Sequence, residues 1–243
     1  MNCNDTSPQQ WIWIDLDDTL WDFKANSVTA LEILFEQEED LPRYFGESGR
    51  WVTAYQECNH RLWEEYNGGT ITKEYLMLER FRRPLADAGC PAPFEKVLAR
   101  HLDRAYLDLL GDMSALVPGA RSLLEYLRSR GYRIGVLSNG FREVQHRKLR
   151  SSRIDHLIDL VVLSDDIGIN KPDTRLFDYA SDRAATTPRH CTMVGDNPDT
   201  DIAGALRAGW RAIYFDRDGE SGPCRYQEAL TITALHQLHE LIV

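Results

Sequence analysis

The feature that most restricts the fold is the alternation running from about residue 113 to the end of the chain. Short apolar runs at 132–137, 160–163, 191–194 and 212–215 are separated by stretches of helical periodicity. Strands separated by helices are joined by right-handed crossovers, so they build a parallel sheet covered on both faces. A fifth run, residues 11–14, comes earlier and reads Trp-Ile-Trp-Ile, apolar at every position as a doubly covered strand requires. Pro118 ahead of Leu123, Leu124 and Leu127, with Gly131 behind them, marks one intervening helix. After Gly219 the pattern predicts a loop, a short strand at 230–233 and a closing helix.

From Asn26 to about Asp112 no strand candidate occurs. Val28, Leu31 and Phe35 share one helical face, and Trp51, Tyr55, Cys58 and Leu62 share another. Gly68-Gly69 stops the second helix and Thr72 caps the next. The stretch from Gly89 to Pro93 then sets off a last helix carrying Phe94, Val97, Leu98 and Leu109. The expected organisation is an α/β core made of residues 1–20 and 113–243, interrupted by an all-helical insert at 21–112.

Charge and cysteine usage narrow the class. A formal net charge of -10 excludes a nucleic-acid duplex as the expected partner, because duplex binding rests on neutralising phosphates with Lys and Arg. A small anionic substrate then needs its positive charge from a metal or a lysine within the site. Cys3, Cys58, Cys90, Cys191 and Cys224 are scattered without a CxxC pair, which predicts reduced thiols in a cytoplasmic protein. The polar MNCNDTSPQQ start and the lack of a long apolar stretch predict no membrane partner. Nothing in the pattern specifies an oligomeric state.

The chemistry is expected just beyond the carboxyl ends of the strands, where open parallel sheets bind ligands. After the first strand come Asp15, Asp17, Asp18 and Thr19. Ser138-Asn139-Gly140 follow the second, Asn170-Lys171-Pro172 the third, and Gly195-Asp196 with Asp201 the fourth. Carboxylates crowded together repel unless a cation sits among them, and oxygen-only ligands favour a hard ion such as Mg²⁺. Asp15 and Asp196 are the natural ligands. Lys171, Ser138 and the amide of Asn139 would hold phosphate oxygens. Asp15 is expected to attack phosphorus, and Asp17, two residues along a strand, to protonate the leaving alcohol and then activate water. Thr19 is expected to orient Asp17, and Asp201 to hold a metal-bound water.

Each segment alone has a bland reading as a turn or helix cap. Together, Asp15-x-Asp17-x-Thr19, Ser138, Lys171 and Gly195-Asp196 with Asp201 resemble the four motifs of the haloacid dehalogenase-like hydrolase superfamily. That resemblance implies a Rossmann-like core with a mobile helical cap. It also implies a magnesium ion held by the Asp15 carboxylate, the backbone carbonyl of Asp17, and Asp196. Trp21-Asp22-Phe23 with Asn26, LWEEYNGGTITKEYL, RFRRPL and LSNGFREVQHRKL are similar to the pyrimidine 5′-nucleotidase subgroup. The subgroup implies a nucleoside monophosphate as substrate, with related caps serving sugar phosphates. Trp21, Phe23, Trp51, Tyr55, Trp63 and Tyr66 are candidates to stack on a base, or else pack between helices. A phosphomutase fits the same motifs. A metal-free dehalogenase is disfavoured by the carboxylate at Asp17, and a phosphate-storing receiver module by the size of the helical insert.

Overall fold

The computed structural model describes residues 9–219 and 226–242. They form two compact units, one of residues 23–114 and one of the remainder. The larger unit starts with β1 (Trp11–Ile14), which is buried along its whole length. Its further elements are α6 (Ala120–Ser129), β2 (Arg133–Ser138), α7 (Arg142–Ser151), β3 (Leu160–Leu163), α8 (Thr174–Arg183), β4 (Cys191–Gly195), α9 (Ala203–Arg207), β5 (Arg211–Phe215), β6 (Leu230–Ile232) and α10 (Leu238–Leu241), while α1 to α5 belong to the smaller unit.

The six strands are all parallel, in the order β3-β2-β1-β4-β5-β6. The chain therefore moves outward from β1 on one side, then returns to β4 and moves outward on the other. The crevice at such a reversal is where open α/β sheets place ligands, and here it lies at the carboxyl ends of β1 and β4, beside that of β2. Trp11 and Trp13 alternate onto one face, where they stack at 5.4 Å and extend to Trp210, Phe177 and Met193. Gly135 permits this: a Cβ there would meet the Trp13 ring at 2.3 Å.

Two expected boundaries shift for local reasons. Gly119, at φ +86°, occupies the turn before α6, so the helix starts at Ala120 rather than at Pro118. Trp21 pairs with Asp17 and Leu116, and Asp22 N–H donates to the Ala115 carbonyl at 3.1 Å. Those pairings place Trp21 and Asp22 in the sheet unit, and the helical unit runs from 23 to 114 rather than from 21 to 112. The loop expected after Gly219 lies at 220–225, outside the described residues, as do Cys3 and Cys224.

The helical unit comprises α1 (Phe23–Gln37), α2 (Asp40–Phe45), α3 (Ser48–Asn67), α4 (Lys73–Asp87) and α5 (Phe94–Asp112). Thr72 caps α4 by accepting from Tyr75 N–H. Phe45, Trp51, Tyr55, Phe81 and Tyr106 form a continuous aromatic core. Trp51 and Tyr55 are therefore packing residues. The expected apolar faces are rotated in two helices. In α1 the buried stripe contains Ser27, Ala30, Leu31 and Leu34 in place of Val28 and Phe35, because the Ser27 hydroxyl is paired with that of Tyr106 at 2.8 Å. In α5 the stripe is Leu98, Leu102, Tyr106 and Leu110, spaced one helical turn apart, and it leaves Phe94 and Val97 exposed. Arg80 and Asp103 pair within this core at 2.6 Å.

Candidate active site

Asp15 is the first residue beyond β1, and its N–H still donates to Val194 on the neighbouring β4. The chain then leaves strand geometry. Leu20 and Trp21 both donate to the Leu16 carbonyl, and Asp18 takes φ +58°, a left-handed conformation that Asp tolerates better than most residues. Asp17 thus sits in a tight loop, and its direction comes from its partners rather than from strand alternation. Lys148 Nζ donates to one carboxylate oxygen at 2.6 Å and Gln145 Nε2 to the other at 2.8 Å.

Lys171 is buried at the centre of the site. Its ammonium donates to Asp15 Oδ1 at 2.5 Å and to the Leu137 carbonyl at 2.8 Å, and lies 2.6 Å from Asp201 Oδ1. The Asn139 side chain fixes the Lys171 backbone, accepting from its N–H at 2.7 Å and donating to its carbonyl at 3.0 Å. Ser138 Oγ accepts from Gly140 N–H and from Gln145.

Asp201 stands on the turn at Pro198–Ile202 and accepts from Asn197 N–H at 3.1 Å. It packs against the end of β4 only because Gly195 has no side chain; a Cβ there would lie 2.2 Å from Asp201 Oδ2. Asp196 Oδ1 accepts from the Thr19 hydroxyl at 2.9 Å.

Oxygen atoms of Asp15, Asp196 and Asp201 all lie within 4.8 Å of one another. Burial, with Asp201 and Asp17 nearby, pushes Asp15 up to about 7 even though Lys171 pulls the other way. Burial and the same crowding hold Asp196 well above the usual carboxylate range, against the Thr19 hydrogen bond. Burial alone would lower Lys171, but Asp15 and Asp201 outweigh it and keep the ammonium charged. Three clustered carboxylates, of which Asp15 and Asp201 share the one ammonium, leave a surplus of negative charge in a largely buried, oxygen-only donor set. Such a set fits a hard divalent cation.

A family model described as haloacid dehalogenase-like hydrolase matches residues 10–209. The chain belongs to that family. It is similar to pyrimidine 5′-nucleotidase YjjG of Escherichia coli, at 30% identity over 96% of this chain and 97% of the relative. It is also similar to pyrimidine 5′-nucleotidase PynA of Streptococcus pneumoniae, at 27% identity over 85% of this chain and 84% of the relative. Among solved structures, the magnesium-bound HAD-hydrolase YfnB of Bacillus subtilis superimposes with a TM-score of 0.84 at 25% identity, covering 97% of this chain and 99% of that one.

Within this haloacid dehalogenase-like hydrolase, one expected pairing is replaced. The Thr19 hydroxyl reaches Asp196 and not Asp17, because the turn at Asp18 carries it toward the end of β4. Two polar residues at the site were not expected from sequence. Gln145 and Lys148 are three positions apart on α7 and share its buried face with Val144 and Leu149. Polar side chains at apolar-register positions of a helix entering the core were the available signal. The buried Trp21 ring has its centre 4.4 Å from the Lys148 ammonium. No helix among the described residues is long and apolar enough to cross a membrane.

Proposed function

We propose that this hydrolase removes phosphate from small phosphomonoesters through an aspartyl-phosphate on Asp15, with nucleoside 5′-monophosphates carrying a pyrimidine base as preferred substrates. The observation that carries the reading is the cluster of Asp15, Asp196 and Asp201, with the buried Lys171 against Asp15 and Asp201 and with Asp17 held by Lys148. A magnesium ion would be held by the Asp15 carboxylate, the Asp17 carbonyl and Asp196, and when bound it offsets the negative charge of substrate and carboxylates. Asp201 would bind a water of that ion's shell while it also fixes Lys171.

In the first half-reaction the free Asp15 oxygen forms a bond to phosphorus as the phosphorus–alkoxy bond breaks. Asp17 gives its proton to the departing alkoxide. In the second half, water attacks the same phosphorus, Asp17 takes back a proton, and the bond to Asp15 breaks to release inorganic phosphate. Lys171 and the Ser138 hydroxyl stabilise the phosphoryl oxygens throughout, with the Asn139 amide beside them. The pyrimidine preference is supported by the two nucleotidases to which the chain is similar over most of its length. Free thiols at Cys58, Cys90 and Cys191 support a reducing, cytoplasmic setting.

The test is phosphate release from uridine, thymidine and purine 5′-monophosphates and from sugar phosphates, with Mg²⁺ and with chelator. Magnesium-dependent release led by the pyrimidine nucleotides is expected. Release led by sugar phosphates overturns the substrate class. Transfer of phosphate to a second position on the substrate, without free phosphate, overturns hydrolysis in favour of a mutase.

A further inference from the structure

We infer that Gln145 and Lys148 on α7 are positioning residues that hold the Asp17 carboxylate in place for proton transfer to the leaving group, an inference that rests on the acid–base reading of Asp17 above. Both are almost fully buried, Gln145 at 0% and Lys148 at 3% exposure. Neither is a choice that favours stability. Taking an ammonium out of water carries a desolvation penalty, and a leucine at that helical position would pack without it. The Gln145 carbonyl oxygen has no hydrogen-bond partner among the described residues, which is itself destabilising. Both donate to the Asp17 carboxylate.

The geometry assigns each a separate task. Lys148 is fixed from two sides, by the Trp21 ring at 4.4 Å and by Asp17 Oδ1 at 2.6 Å. Its charge therefore has one defined place, and it holds one carboxylate oxygen there. Gln145 uses the two hydrogens of its amide nitrogen on two groups, Asp17 Oδ2 and Ser138 Oγ, each at 2.8 Å. The amide must face this way, since its carbonyl would repel a carboxylate. Gln145 thereby ties the proton donor to the hydroxyl proposed to hold the phosphoryl group, setting the distance between Asp17 and Ser138 through one bridging amide. The loop is built around it: a Cβ on Gly140 would lie 2.1 Å from Gln145 Nε2.

Leaving-group chemistry separates this role from a general structural one. An alkoxide leaves poorly without a proton, whereas p-nitrophenolate leaves without one. kcat and KM are measured for uridine 5′-monophosphate and for p-nitrophenyl phosphate, with the wild-type protein and with Asp17→Asn, Lys148→Met and Gln145→Leu. General acid catalysis is worth about 10²–10⁴-fold, so Asp17→Asn should slow the nucleotide by that order and the aryl ester far less. Lys148→Met and Gln145→Leu should each cost about tenfold or more in kcat on the nucleotide, and about threefold or less on the aryl ester, with KM little changed. Melting curves establish folding, and if Lys148→Met does not fold, Gln145→Leu, which adds no charge and little volume change, bears the test. Equal losses on both esters in the α7 variants, beside a selective Asp17→Asn, overturn the positioning role while the acid–base reading stands. If Asp17→Asn itself slows both esters equally, that reading falls, and this inference falls with it.

Discussion

Replacing Asp15 by asparagine keeps the shape of the side chain and removes its charge, and the metal-free protein should answer in two opposite ways. Turnover should disappear, because an amide oxygen does not form the phosphoryl bond. Stability at alkaline pH should rise. Asp15 titrates near the ordinary aspartate value of 3.8 when unfolded and at about 7 when folded. Between those values the folded chain binds more protons than the unfolded one, so stability falls as pH rises through the window and levels off above about 7. Each pH unit is worth about 1.4 kcal/mol, which makes the cost of ionising buried Asp15 about 4 kcal/mol at pH 8. The Asp15→Asn variant escapes that cost but weakens the contact with Lys171, so about 4 kcal/mol is an upper bound. For a chain of 243 residues this corresponds to a gain in Tm of several degrees, at most about 15 °C. The assay is thermal melting of wild type and Asp15→Asn in chelator from pH 5 to pH 8.5, reading the difference between the two. Groups away from the site cancel in that difference, whereas Asp196 and Lys171, which both feel the Asp15 charge, shift with it, so the difference reports the coupled cluster. A difference that stays flat with pH, or a variant less stable than wild type at pH 8, would refute the electrostatic account of the site. Added Mg²⁺ should stabilise wild type more at pH 8 than at pH 5.5, since the ligands must first lose their protons.

Further outcomes follow from the same geometry. Lys171→Met leaves Asp15 and Asp201 buried without their shared ammonium; it should destabilise the protein by about 3–5 kcal/mol at pH 8 in denaturant titrations and lower kcat/KM by at least about a hundredfold. Thr19→Val removes the donor to Asp196 and should cost about 1–3 kcal/mol of stability, with a higher Mg²⁺ concentration needed for half-maximal activity. Gly140→Ala should fold, because the atom it meets at 2.1 Å is the end of a flexible side chain, yet it should lose activity on nucleotides to about the same extent as Gln145→Leu.

The sheet could be read from the chain because strands β1 to β5 are largely apolar on both faces, a demand that is met residue by residue without reference to the rest of the fold. The helix stops at Gly68-Gly69 and Gly131 and the cap at Thr72 are equally local, resting on backbone angles and on a hydroxyl three residues from its donor. So were the chemical segments at the strand ends, since a parallel sheet delivers whatever follows its strands to one edge. Which of those groups touch was another matter. Gln145 and Lys148 reach Asp17 across 128 and 131 positions of chain, Thr19 reaches Asp196 across 177, and the Asn139 side chain turns to the Lys171 peptide. The left-handed turn at Asp18 redirects Asp17 and Thr19 in ways that strand periodicity does not anticipate. In the helical unit, Ser27 took the place of Val28 on the buried face because a tyrosine hydroxyl from another helix was waiting for it. Periodicity describes what one backbone segment can bury, whereas partners are chosen by whichever groups the packed elements bring within about 3 Å.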